Sequence, residues 1–223
     1  MQRIPEVPKR ASELTAREVA ELVGRPDPFI IEVGCNDGET TEQFVAEMPE
    51  ALILCFECEG RAIEAFRLKD DLRVTLILNA IANYVGVATF FPSDGKFPQM
   101  PEHKDSWDYS GSLRKPTGHL ERDKLVTFGE PVEVPTTTLD HYYSDTTVDF
   151  LWADVQGAEA LMILGARKTL QRTRWLYTEF YDVPQYDRQP DLYGLYCFLP
   201  DFDLVGIYGD NALFKHRNLV HAE

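Results

Sequence analysis

FIIEVGCNDGETTEQFVAEM, residues 29–48, is the stretch that decides the fold. It opens on a short, largely apolar run stopped at Gly34, and a helix-compatible stretch, 39–48, follows. ALILCFE (51–57) and GRAIEAFRL (60–68) repeat the pair, and VTLILNA (74–80) supplies a third run. Short buried strands alternating with helices are the pattern of a parallel sheet covered on both faces.

The same pattern extends outward. VDFLWADV (148–155) reads as a fourth core strand, EALMILGARKTL (159–170) as a helix and RWLYTEFY (174–181) as a fifth strand. DLYGLYCFL (191–199) reads as helical, and FDLVGIY (202–208) and NALFKHR (211–217) flank Gly209-Asp210 as a closing antiparallel hairpin. ATFFPS (88–93) and VEVPTTTL (132–139) are strand-like. Upstream, Thr15 and Glu18 form a capping-box pattern before a short helix that stops at Gly24. The expected organisation is an arm and helix over 1–28, then one α/β domain over 29–223 with a mostly parallel central sheet. An irregular Pro- and Gly-rich segment, 94–131, interrupts it as an insertion or lid.

Composition narrows the function. The chain carries 22 Lys and Arg against 37 Asp and Glu, a net charge of −15. That balance opposes nucleic acid, whose phosphates need a basic surface, and an anionic membrane surface. The longest unbroken apolar run, Ala51 to Phe56, is six residues, where a membrane span needs about 20. The N-terminal stretch has no apolar core for a signal peptide. Four cysteines in 223 residues do not make a disulfide scaffold. A cytoplasmic protein with reduced thiols is the expectation, and the oligomeric state is left open.

In an open α/β sheet, ligands bind where the strands end, so the strand-terminal residues carry the functional reading. The first strand ends in Glu32-Val33-Gly34-Cys35-Asn36-Asp37-Gly38. Its glycines let the backbone approach a ligand, and the helix start at Gly38, Glu39 and Thr40 attracts a negative group. Carboxylates at Glu32 and Asp37 would repel a pyrophosphate, and the G-x-G-x-x-G pattern of dinucleotide sites is absent. They suit S-adenosylmethionine, which carries a sulfonium and an ammonium. Glu57 closes the second strand, placed to take both ribose hydroxyls, with Cys58 beside it. Asn79-Ala80 closes the third, an amide and a small residue fit for an adenine edge.

Asp154 closes the fourth strand across the switch point from the first, and Glu179 closes the fifth. Asp154 is the first candidate for a base, with Glu179 and His141 in reserve. Together Asp154 and Glu179 could also hold a divalent cation. Trp107, Tyr109 and Ser112, inside 94–131, are the expected acceptor contacts. Cys55-Phe56-Glu57-Cys58 offers a rival reading as a thiol redox motif.

IEVGCNDGETT, CFEC, NAIANYVGVATFF, TTLD and VDFLWADVQGAEALMILGA together resemble the FkbM-type methyltransferases, over residues 29–180. The resemblance implies the class I, Rossmann-like S-adenosylmethionine fold and O-methylation of a hydroxyl on a sugar, glycan or polyketide-type molecule. Carried over, it puts Glu32, Gly34, Asn36, Asp37 and Gly38 at the methionine end, Glu57 at the ribose and Asn79-Ala80 near the adenine. Asp154 falls near the methyl centre. The chain departs from the family pattern at Trp152-Ala153, where Lys-Ile is common, and at Gln156, where Glu is common. A silent S-adenosylmethionine-binding module would share every cofactor residue.

Overall fold

The computed structural model describes residues 4–96, 106–122, 124–143 and 147–219. In chain order, β1 (Lys9–Arg10) and α1 (Ala16–Val23) precede the pairs β2 (Phe29–Val33) with α2 (Glu39–Glu47) and β3 (Leu52–Phe56) with α3 (Gly60–Ala65). β4 (Val74–Ile77), β5 (Ala80–Ile81), β6 (Gly86–Phe90) and β7 (Ser93–Gly95) lead to α4 (His119–Arg122) and β8 (Val126–Phe128). β9 (Val132–Thr137), α5 (Leu139–Tyr143), β10 (Val148–Ala153), α6 (Glu159–Leu164) and α7 (Arg167–Leu170) follow. β11 (Thr173–Glu179), α8 (Leu192–Cys197), β12 (Phe202–Tyr208) and β13 (Asn211–His216) complete the chain.

The central sheet runs β1-β12-β13-β11-β10-β2-β3-β4. β4, β3, β2, β10 and β11 are mutually parallel, and β13 lies antiparallel between β11 and β12. Strand order therefore reverses between β2 and β10. Side chains alternate between two cores, as the two-residue period of a strand requires. Ile31, Val33, Leu54, Phe56, Leu151 and Leu176 face one core, with Met162 and Ile163 of α6. Ile30, Ile53, Cys55, Phe150, Trp175 and Tyr177 face the other, with Val19 of α1 and Phe44 of α2. Each such side chain contributes about 1.5–3 kcal/mol by leaving water.

α1 forms as its sequence dictates. Thr15 and Glu18 make the reciprocal capping box, and Gly24 ends the helix at φ 67°. The N-terminal segment is tied to the body: Leu14 N–H donates to the buried Tyr177 hydroxyl at 3.2 Å, and β1 pairs with β12.

Four expected elements divide. Residues 74–80 do not form one strand: β4 stops at Ile77, and Ala80–Ile81 pairs with β9 in a separate three-stranded sheet, β5-β9-β6. Residues 88–90 and 132–137 belong to this second sheet, while Ser93 opens β7, which pairs with β8 in a two-stranded sheet, and Leu139 opens α5. The helix expected over 159–170 breaks into α6 and α7 at Gly165, where a Cβ would lie 2.0 Å from the Ala82 carbonyl oxygen. Of the segment 94–131, residues 97–105 and 123 lie outside the described residues.

Candidate active site

The turn after β2 is built for close backbone approach. Gly34, Asn36 and Gly38 have φ of 79°, 47° and 84°, the left-handed region that glycine and asparagine tolerate best. A Cβ on Gly34 would sit 1.8 Å from the Asp154 carbonyl oxygen, so the β2 and β10 turns touch through bare backbone. Asn36 Oδ1 accepts from Asp37 N–H at 2.7 Å. Asp37 itself turns outward, paired with Arg67 at 2.7 Å. Thr40 lies partly buried in α2, outside the cavity lining.

Between these turns lies a cavity of about 650 Å³, its open mouth included. Its walls come from Val33, Gly34 and Asn36 of the first turn and from 56–59 of the second. Ala80 and Ile81, Phe90, Asp108, Tyr109 and 111–113 add to them, with Asp154 to Gln156 and Ala158 closing the far side. Four carboxylates line it, from Glu57, Glu59, Asp108 and Asp154, and no Lys, Arg or His among the described residues does.

Glu57, 8% exposed, is held by backbone: Oε1 accepts from the N–H groups of Cys58 (2.6 Å) and Glu59 (2.8 Å), and Oε2 from Asn36 N–H (2.9 Å). A carboxylate offers about four lone-pair sites, so one remains, on Oε2. Burial pushes this carboxyl up and the three N–H groups oppose that. Glu32 lies outside the lining, 1% exposed, and its Oε2 accepts from Thr41 Oγ1 at 2.6 Å. Burial, with Glu57 and Asp154 adding to it, pushes its carboxyl up to about 8.

Glu32 therefore makes stability pH-dependent. Its ordinary value is 4.5, so between there and about 8 the folded chain holds the extra proton and stability falls as pH rises. Glu32→Gln, without ligand, is expected to melt at least about 5 °C above the parent at pH 9 and within about 2 °C of it at pH 5. Equal melting temperatures at pH 9 would show that Glu32 is not buried as described.

At the ends of β10 and β11 one amide joins two acids. Gln156 Nε2 donates to Asp154 Oδ1 (2.7 Å) and to Glu179 Oε2 (3.0 Å). Tyr186 hydroxyl lies 2.9 Å from both Gln156 Oε1 and the Ser110 carbonyl oxygen, which sets the amide's orientation. Gln156 itself has φ 50°, and its carbonyl accepts from Ser112 Oγ at 2.6 Å. Tyr181 hydroxyl donates to Glu179 Oε1 at 2.7 Å. Burial pushes Asp154 up to about 6. Burial first, then Asp154 and Glu159, pushes Glu179 well above the carboxylate range. At neutral pH Asp154 is therefore ionised.

The cation reading of this pair meets that amide: Gln156 presents an N–H donor where a shared cation would need lone pairs. Among the described residues no three His, Cys, Asp or Glu side chains gather as a metal site. His141 is exposed on α5, with its ring against Tyr142 (5.3 Å), and does not line the cavity. Asn79 is half-buried and also outside the lining, whereas Ala80 is within it. Cys58 lines the cavity, its thiol pushed up by burial, and Cys55 is fully buried with Sγ 3.9 Å from Glu32 Oε2. Redox motifs use an exposed, activated thiol, and here one cysteine is fully buried and the other is pushed up.

Tyr109 and Ser112 line the cavity, and Trp107 packs against Tyr109 with ring centres 5.0 Å apart. Residues 108–113 form the outer wall, tied down by Asn36 Nδ2 to the Asp108 carbonyl (3.3 Å) and by a paired bridge between Phe91 and Ser112. The sequence reading missed Asp108 in that wall and Tyr186, which reaches Gln156 across 30 residues. No motif marks either.

Residues 32–205 match the family model described as the methyltransferase FkbM domain. The chain is 37% identical over 209 residues to the 2-O-methyltransferase NoeI of Sinorhizobium fredii (strain NBRC 101917 / NGR234), spanning 88% of this chain and 83% of that protein. Among solved structures, an rRNA methylase from Streptococcus thermophilus overlaps 89% of this chain and 91% of its own at 13% identity and TM-score 0.48. A fibrillarin from Aeropyrum pernix with natively bound S-adenosyl-L-methionine overlaps 91% and 76% at 16% identity and TM-score 0.42. Sequence identity over most of both chains and the family match agree with the cavity between the β2 and β10 turns: the chain belongs to the FkbM methyltransferase family.

Proposed function

We propose that this chain transfers the methyl group of S-adenosylmethionine to a hydroxyl of a sugar-type acceptor. The observation that carries the cofactor is the cavity's charge: four carboxylates and no basic side chain among the described residues. Such a wall attracts a cation and repels a pyrophosphate. The bare backbone at Gly34 and the spare lone pair on Glu57 Oε2 fit the cofactor's amino-acid and ribose ends. Because that oxygen has room for one donor, Glu57 takes one ribose hydroxyl as it stands, and a second requires it to release a backbone N–H.

When bound, the cofactor supplies an electrophilic methyl on a positive sulfur. The protein's part is placement and proton removal. Holding acceptor oxygen and methyl in line is worth about 7–11 kcal/mol. Asp154, ionised above about pH 6, takes the hydroxyl proton in the first instance. Gln156 Nε2 donates to the Asp154 carboxylate and steadies its charge before the proton arrives, and the same amide ties it to Glu179. Residues 108–113 cover the acceptor with Tyr109 and Ser112. The O-methyl specificity is supported by the relative named a 2-O-methyltransferase. Free, buried Cys35 and Cys55 support a reducing compartment, and no described helix is long and apolar enough to cross a membrane.

Incubation with methyl-labelled S-adenosylmethionine and hydroxylated sugars, with and without magnesium, tests this reading. Label is expected in an ether that survives mild base, at the same rate without the metal. Label in protein or amines alone would refute it.

A further inference from the structure

Beside the cavity, a second depression of about 860 Å³, its open face included, lies between α4 and the loop after β11. Tyr181, Asp182 and Val183 of that loop, Glu121 and Arg122 of α4, and Asp210 of the β12–β13 turn line it. The two depressions share a partition. Tyr181, in the groove, hydrogen-bonds Glu179, and Glu179 shares the Gln156 amide with Asp154, which lines the cavity. Both therefore open on the carboxyl ends of β10 and β11, the ligand-binding edge of such a sheet.

The groove's chemistry is specific. Three carboxylates face one cation, and that cation is spoken for: Arg122 pairs with Asp210 at 3.2 Å and lies over the Tyr181 ring at 4.9 Å. Gln185, in the same wall and 3% exposed, has an amide oxygen with no hydrogen-bond partner. Through its three carboxylates the surface is rich in acceptors and poor in free cations, which suits a partner whose polar groups are hydroxyl donors. Val183, 72% exposed, adds an apolar face for ring carbons. Phosphate or carboxylate groups would meet an excess of like charge.

Resting on the O-methyltransferase reading, we infer that this groove holds the part of an uncharged carbohydrate acceptor beyond the ring that is methylated, and that it discriminates against anionic sugars. The groove is an acceptor subsite, and Tyr181 joins it to the reacting centre.

Amide NMR of the full chain tests this, first saturated with S-adenosylhomocysteine and then titrated with cellobiose or with glucose 6-phosphate. Cellobiose is expected to shift the amides of Gly118, Arg122, Asp182, Val183 and Asp210 saturably, with glucose 6-phosphate at least about tenfold weaker. Val183→Trp, at an exposed position, should lose cellobiose binding about tenfold or more while the S-adenosylhomocysteine shifts at Gly34 and Glu57 stay as in the parent. Absence of saturable groove shifts with cellobiose, equal binding of the phosphorylated sugar, or a Val183→Trp chain that binds cellobiose normally each overturns the subsite. Failure of S-adenosylhomocysteine itself to bind overturns the methyltransferase reading instead, so the two failures are told apart in one sample.

Discussion

Asp154→Asn is expected to slow methyl transfer by about 10²–10⁴-fold, the usual worth of a positioned base, while S-adenosylhomocysteine still binds within about threefold of the parent. The asparagine side chain has the same shape, so the Gly34 contact with the Asp154 backbone carbonyl is kept. What is lost is the proposed proton acceptor. The pH profile separates this from a packing defect. In the parent, turnover should fall as pH drops through about 6, because the base becomes protonated there. In the variant that inflection should vanish from what activity remains. A kcat within threefold of the parent, or an unchanged inflection, would contradict Asp154 as the base.

Gly34→Ala is the second large effect. The new Cβ meets backbone 1.8 Å away, and φ of 79° is a conformation alanine resists. Backbone cannot step aside as a flexible side chain can, so the β2 and β10 turns must part. Cofactor affinity is expected to fall at least about 100-fold, some 2.7 kcal/mol. Gly24→Ala is the matched control, with φ 67° but nothing within 4 Å of its Cβ. It should cost about 1 kcal/mol of stability, at the lower end of the left-handed penalty, and leave cofactor affinity untouched. Equal cofactor affinities for the two variants would mean that close approach at Gly34 plays no part in binding.

The strands that place the site were legible because burial on both faces writes itself as apolar runs. β2, β3 and β10 end one residue before Gly34, Glu57 and Asp154, and β11 ends at Glu179, the residues singled out from the sequence. Long-range backbone approach leaves no such trace. The helix-compatible run breaks at Gly165, where the Ala82 backbone approaches too closely for any Cβ, and Ala80–Ile81 pairs with β9 outside the central sheet. Neither event has a periodic signal. The acid pair at Asp154 and Glu179 was visible as two strand ends, but the amide between them was not. In the sequence Gln156 stands out only as a departure from the family pattern, and its orientation depends on Tyr186 in a separate loop. Glu57 was read from its distance to the glycine turn, and only the geometry disclosed that three backbone N–H groups already occupy it.

Calorimetric titration with S-adenosylhomocysteine, comparing the parent with Glu57→Ala, tests the central claim most directly. Micromolar binding in the parent, weakened at least about 30-fold in a variant that remains folded, is the predicted result. The expected loss combines the proposed ribose contact with release of the Asn36, Cys58 and Glu59 N–H groups that the carboxylate organises. No binding to folded parent protein, or equal binding by the variant, would contradict a cofactor site in this cavity.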